Sequence, residues 1–431
     1  MYQSLGHLLR TRRFVPFFIT QFLSAFNDNL FKFALVLFLK FQMTGLSGED
    51  TAALTTLAAG LFILPFFLFS PIAGQLADRY EKSSLIQIIR ATEIPLMILA
   101  AVGFYLESAS VLLLVLFLMG TKSAFFGPLK YSILPDQLKK DELIGGNGLV
   151  EMATFVSILL GTILGGELIS SADGRWKVAA MTISLAVIGF LASRFIPKTI
   201  PRKPDLKIVL NIFLEGYLIL AAAFRDRRIM ISILGISWFW LLGSTLLAQF
   251  PNYTKDIIFG DERVATLFLF SLSVGIGVGS ILCNKVLKSA ISARLAPWAA
   301  LVMGIFSIDM FFSSPAAVTG EAGALLTISE FLSYPQNWRV LFDMIMVAVA
   351  GGFYIVPLYT ILQTRSSDDE RSRMIAGNNI ANSLFMVVAA VGTIGLFKLG
   401  LYVLDIFLGL GVITLGVAGL FLLNRGWENR S

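Results

Sequence analysis

Two carboxamides, a carboxylate and an ammonium (Asn27, Asn29, Asp28 and Lys32) interrupt an otherwise apolar run from Phe14 to Phe41. A run of this length crosses a bilayer as a helix, which takes roughly 20 apolar residues. A charge at bilayer depth costs about 2.5–3.5 kcal/mol on insertion scales, so such residues persist where they face protein or a water-filled cavity. This helix therefore reads as one wall of a substrate cavity. Asp28 and Lys32, four residues apart, are also spaced to neutralise each other along one helix face. Asn27 and Asn29 add polar surface that an internal pair does not need.

Further charges fall inside apolar runs. Lys122 lies midway along 109–134, and Lys130 lies deeper in the same run, beside Tyr131 and after Pro128. Glu151 follows Asn147 in the run 143–169, and Arg90 and Glu93 stand three apart in 84–105, spaced to neutralise each other. Together they suit a zwitterionic phosphate head group: Asp28 or Glu151 for an ammonium, and Lys122, Lys130 or Lys32 for a phosphate. Trp238-Phe239-Trp240 and Gln249-Phe250-Pro251 offer apolar walls for an acyl chain. Trp and Tyr near span ends also serve as interface anchors.

The elements that position these groups follow from composition. Of 431 residues, 56% are hydrophobic and 14% charged, against about 25% charged in soluble domains. Twelve apolar runs qualify as spans: about 14–41, 51–76, 84–105, 109–134, 143–169 and 176–196, then 229–253, 264–286, 294–312, 339–363, 374–397 and 400–423. Residues 1–196 read as one six-helix bundle and 229–431 as a second. Between them, 197–228 is a basic linker with an amphipathic stretch that lies along a membrane surface. Most of the 34 lysines and arginines fall in the termini, the linker and the loops on their side, which places both termini in the cytoplasm. The net charge of +6 reflects those loops rather than nucleic acid. One cysteine, Cys283, and one histidine, His7, exclude a disulfide framework, a zinc site and a histidine-based triad. No cofactor, metal or catalytic residue is expected, and no enzyme.

The halves echo each other. Pro128-Leu129-Lys130-Tyr131-Ser132-Ile133-Leu134 resembles Pro357-Leu358-Tyr359-Thr360-Ile361-Leu362, and Ile144-Gly145-Gly146-Asn147 resembles Ile375-Ala376-Gly377-Asn378. A parallel repeat of six-helix units is the plan of the major facilitator superfamily, with substrate at midplane between the halves. The fold class is thus an all-α membrane protein of that superfamily. Gly74-Gln75-Leu76-Ala77-Asp78-Arg79 after the second span resembles its cytoplasmic loop signature. Gly74 allows close helix approach there, and Asp78 and Arg79 serve as a conformational latch. The counterpart after the eighth span, Gly279 to Lys285, lacks the acid. Gly161, Gly165 and Gly166, like Gly275, Gly277 and Gly279, read as helix-packing positions.

Gln21 to Asn29 resembles the first-helix signature of the bacterial lysophospholipid transporter family within that superfamily. Gly127 to Pro135 and Gly146 to Glu151 resemble its signature in spans 4 and 5. Trp238 to Pro251 is similar to the version fused to acyltransferase and acyl-carrier-protein synthetase domains. The resemblance implies inward movement of lysophospholipids such as lysophosphatidylethanolamine across the bacterial inner membrane, followed by reacylation by such enzymes, in trans or fused. It maps the family's acids onto Asp28 and Glu151. Its stand-alone members carry an arginine near Leu246-Leu247-Ala248, so Lys122 or Lys130 must substitute here or head-group selectivity differs.

The expected machine is a monomeric flippase whose lipid enters sideways from the outer leaflet, with membrane lipids as surroundings and no nucleic-acid partner. No Walker A sequence occurs, so ATP is not the direct drive. The competing readings are a proton-coupled exporter of drugs or metabolites on the same fold, and the transport-inactive membrane anchor of a lipid-repair enzyme.

Overall fold

The computed structural model describes residues 5–43, 48–314 and 325–424. It is built of helices, twelve of them long and apolar enough to cross a membrane. The first six are α1 (Val15–Leu37), α2 (Gly48–Arg79), α3 (Lys82–Tyr105), α4 (Ala109–Ser132), α5 (Leu143–Ser170) and α6 (Gly174–Ser193). A linker helix, α7 (Ile212–Arg225), precedes α8 (Arg227–Tyr253), α9 (Glu262–Leu287), α10 (Ala296–Ser313), α11 (Pro335–Arg365), α12 (Arg371–Lys398) and α13 (Val403–Leu423).

Helical pairing repeats between the halves. α1 packs on α5, α2 on α4 and α3 on α6; α8 packs on α12, α9 on α11 and α10 on α13. Small residues set the closest approaches. A Cβ on Gly161 or Gly165 of α5 would fall 2.7 Å from the Phe26 carbonyl or 2.5 Å from that of Leu30, so α5 lies directly on the backbone of α1. The expected packing role of these glycines holds. Between the halves, α5 meets α9 and α2 meets α12.

Polar caps stop helices where the chain leaves the apolar layer. Asp226 ends α7 and starts α8, its Oδ1 accepting from Arg228 N at 2.8 Å, and Asn211 caps α7 through Leu214 N at 3.0 Å. The linker is strapped to the bundle. Gln75 of α2 holds Val209 through both backbone groups, at 2.7 and 3.1 Å, and α7 packs against α2 and α12. Phe213 and Tyr217 on its outer side are 68% and 70% exposed, as expected for an amphipathic helix lying against lipid.

Candidate functional site: a central cavity between the halves

A cavity of about 670 Å³ lies between the halves, walled by α1, α2, α4 and α5 on one side and α8, α11 and α12 on the other. Three charged residues line it, Asp28, Lys32 and Lys130, all from the first half. Asn29, Ser123 and Thr154 add hydrogen-bonding groups beside them. The facing wall is largely apolar, with Phe239, Trp240, Gly243, Leu247, Ala248 and Met386, relieved by Ser244, Asn379 and Asn382. Phe62, Ile63 and Phe66 of α2 extend the apolar surface toward the end remote from the linker.

Asp28 is 7% exposed and stands at the edge of a buried ionic cluster. Its Oδ1 accepts from Lys122 Nζ at 2.7 Å and its Oδ2 from Ser123 Oγ at 2.7 Å. Lys122 also donates to Ser24 Oγ at 3.2 Å and lies 3.4 Å from Glu93 Oε2. Glu93 in turn pairs with Arg90 and accepts from Asn27 Nδ2 at 2.7 Å. Two cations and two carboxylates from α1, α3 and α4 thus cancel in a dry interior, the arrangement that makes buried charge tolerable. Arg90 fits because Gly189 of α6 has no side chain: any Cβ there would collide with the guanidinium.

The two lysines on the wall are differently placed. Lys32 sits over the Phe62 ring, Nζ 4.3 Å from the centroid, a cation–π contact. Among the described residues no carboxylate lies within 4 Å of it. Lys130 donates to Thr154 Oγ1 at 2.7 Å. Glu151 lies behind Tyr131, fully buried, and accepts from its hydroxyl at 2.6 Å.

Toward the linker face the cavity is shut. Tyr131 and Tyr359, the matching tyrosines of the two repeats, stack with centroids 4.0 Å apart and planes 8° from parallel. Trp240 Nε1 donates to Tyr359 Oη at 3.1 Å. One layer further, the Asn147 and Gln363 carboxamides bond reciprocally at 2.7 and 2.9 Å, with Thr360 Oγ1 3.0 Å from Asn147 Nδ2. Below these, Asp78 accepts from the backbone N–H groups of Ser372 (2.9 Å) and Arg373 (3.3 Å) and from Arg373 Nε (3.2 Å), across the halves. A carboxylate at the N-terminus of α12 is favoured by that helix's dipole. Gly74 lets α2 approach, since a Cβ there would fall 2.7 Å from Ala376 Cβ.

Of the expected site residues, Asp28, Asn29, Lys32, Lys130 and Tyr131 line the cavity. Asn27, Lys122, Asn147 and Glu151 do not: each is buried behind the wall, with its polar atoms turned to other helices. The spacing of Asp28 and Lys32 also misleads, because the shorter cross-helix distance to Lys122 captures the carboxylate. Arg79 lies over the Tyr80 ring, 5.3 Å from its centroid, so Gly74 and Asp78 make the α12 contact without it. Thr154, Tyr359 and Gln363 were not anticipated. The repeat already aligns Tyr131 with Tyr359, a usable signal for the stack. Nothing local marks Gln363.

The chain matches the profile of the Major Facilitator Superfamily over residues 17–384. It is 29% identical over 408 residues to the Lysophospholipid transporter LplT of Citrobacter koseri, covering 94% of this chain and 91% of that protein. The structure resembles the human organic anion transporter MFSD10 (TM-score 0.70, 13% identity, 97% and 99% of the two chains). A bacterial homologue of the iron transporter ferroportin in an outward-facing state is as similar (TM-score 0.71, 15% identity, 97% and 100%). These likenesses establish the fold, and the chain is a multi-pass membrane transporter rather than an enzyme.

Proposed function

We propose that this chain, which belongs to the major facilitator superfamily, carries lysophospholipids such as lysophosphatidylethanolamine from the outer to the inner leaflet of the bacterial inner membrane, for reacylation there. The observation that carries the reading is the amphiphilic cavity: charged and hydrogen-bonding groups on the α1–α4–α5 wall, and an aromatic and aliphatic surface on α2 and α8. That division matches a phosphate-bearing head joined to a single acyl chain. The curated relatives named as lysophospholipid transporters support the substrate class.

Placing the termini and linker in the cytoplasm, the side that the positive-inside bias of the basic loops favours, makes this an outward-facing state. A lipid would enter sideways from the outer leaflet. Its phosphate would meet Lys32 and Lys130, and its chain would lie along Phe62, Phe66, Phe239 and Leu247. Lys130 thus offers the cation that the resemblance requires near midplane, whereas Lys122 is engaged with Asp28 and Glu93. Release inward requires the halves to rock, parting the Tyr131–Tyr359 stack, the Asn147–Gln363 pair and the Asp78 latch, in the alternating-access manner of this fold. A monomer suffices, since the cavity is complete within one chain. The acyltransferase and acyl-carrier-protein synthetase that would consume the product are the expected partners.

The test is uptake of labelled lysophosphatidylethanolamine by the reconstituted full chain, with and without a pH gradient. Uptake is expected, and Lys130→Gln should reduce it about tenfold or more, the loss of one charged hydrogen bond. Indifference to lysolipid, with drug or metabolite movement collapsing with the proton gradient, would replace this reading with the exporter.

A further inference from the structure

Taking the lysophospholipid reading as its basis, we infer that the cavity ranks head groups by net charge. A net-anionic head group, a phosphodiester without an amine, is taken ahead of a zwitterionic one, and Lys32 is the residue that selects it. The inference rests on which wall charges are already answered. Asp28 is the cavity's one carboxylate, and both its oxygens are occupied, by Lys122 and Ser123. Its charge is cancelled within the cluster of Asp28, Glu93, Arg90 and Lys122. An incoming ammonium therefore finds no free carboxylate.

The two wall cations are not cancelled in the same way. Lys130 has a hydroxyl partner, Thr154, and Glu151, bonded to Tyr131, offsets part of its charge through space. Among the described residues Lys32 has no hydrogen-bond or ion-pair partner: Asp28, already bonded to Lys122 and Ser123, acts on it only through space, and the face of Phe62 attracts its ammonium but leaves the three protons free to donate. It lies one helical turn from Asp28 toward the open end, so an entering head group meets it on the way in. In a low-dielectric cavity, a surplus positive charge is costly, and a phosphate that neutralises it gains a charge-assisted bond. An amine a few atoms from that phosphate gives back part of the gain by facing the same lysines.

The experiment reads competition during uptake by the reconstituted full chain, using lysophosphatidylglycerol and lysophosphatidylethanolamine with identical acyl chains. The anionic lipid should compete about tenfold better, as befits one hydrogen bond to a charged group. That margin should shrink as salt rises, because an accessible charge pair is screened. Lys32→Gln should abolish the margin, weakening both lipids but the anionic one about tenfold more, and Lys32→Arg should keep it. Equal competition, or preference for the zwitterion, in the wild-type chain overturns the inference and leaves the transport reading standing. A margin that survives Lys32→Gln overturns the assignment to Lys32. Should Lys32→Gln fail to fold, Lys32→Arg and the salt series decide alone, a salt-independent margin counting against the inference. Failure of the wild-type chain to move either lipid overturns the transport reading, and the inference with it.

Discussion

The two halves share a framework and differ in chemistry. Each pairs its helices in the same way, and each contributes one tyrosine to the central stack. Yet the first half holds Arg90, Glu93 and Lys122 behind the wall in a buried cluster with Asp28 at its edge, and turns Asp28, Lys32 and Lys130 to the cavity. In the second half, Asp309, Arg339 and Asp343 sit between α10 and α11, off the cavity. Arg339, at 57% side-chain exposure, meets Asp309 near the surface. A duplicated scaffold thus keeps the same helix pairing on both sides and places the cavity's charges on one.

Breaking the buried cluster should have the largest effect. Arg90→Ala leaves Glu93 with reduced compensation in a dry site and should cost about 3–5 kcal/mol, seen as loss of monodisperse protein or a collapsed Tm. Arg90→Leu combined with Glu93→Leu should recover much of it, since removing a buried pair together is far milder. The same disruption of the second half, Arg339→Ala, should leave yield and Tm nearly unchanged. A severe Arg339→Ala phenotype would erase the contrast.

Next in size is the gate between the halves. Asn147→Ala strands a buried carboxamide on Gln363 and should weaken the closed state by about 1–3 kcal/mol, about 5- to 150-fold in population. Alkylation of a Ser132→Cys reporter in a Cys283→Ala background should accelerate; an unchanged rate would move the gate elsewhere. Filling the apolar wall probes the other half. A Cβ on Gly243 meets nothing within 4 Å, so Gly243→Phe should slow uptake of long-chain lysolipids more than short-chain ones. Equal slowing would show that the chain does not lie along α8.

The smallest effect concerns how matching helices begin. Glu81 caps α3 through Ser83 N and Ser84 N, each at 2.8 Å, and binds Thr199 of the linker. The start of α10, at Leu295, has no side-chain cap. Burial pushes the Glu81 carboxyl up, but hydrogen bonds from Ser84, Thr199 and Ser83 outweigh it and hold its pKa at about 2. A lowered folded pKa means stability that is present above the ordinary value near 4.5 and is lost as pH falls toward 2. Thermal melts should therefore show no Glu81 contribution to pH dependence between pH 5 and 8. Glu81→Gln should flatten the acid limb below pH 4.5. An unaltered acid limb would leave that cap without energetic weight.

The twelve spans, the doubling and the importance of the first helix were legible in the chain, because each rests on local quantities: apolar length, repeated words and charges where lipid forbids them. Arg90 and Glu93 were legible for the same reason, three residues apart on one helix. The partner of Asp28 was not. Lys32 and Lys122 are equally plausible by residue type, and only the packing of α1 against α4 brings Nζ of one to 2.7 Å while leaving the other over an aromatic ring. Pairing across helices depends on angle and depth, which no spacing along a chain encodes. That choice decides which charges hold the protein together and which are left to meet a ligand.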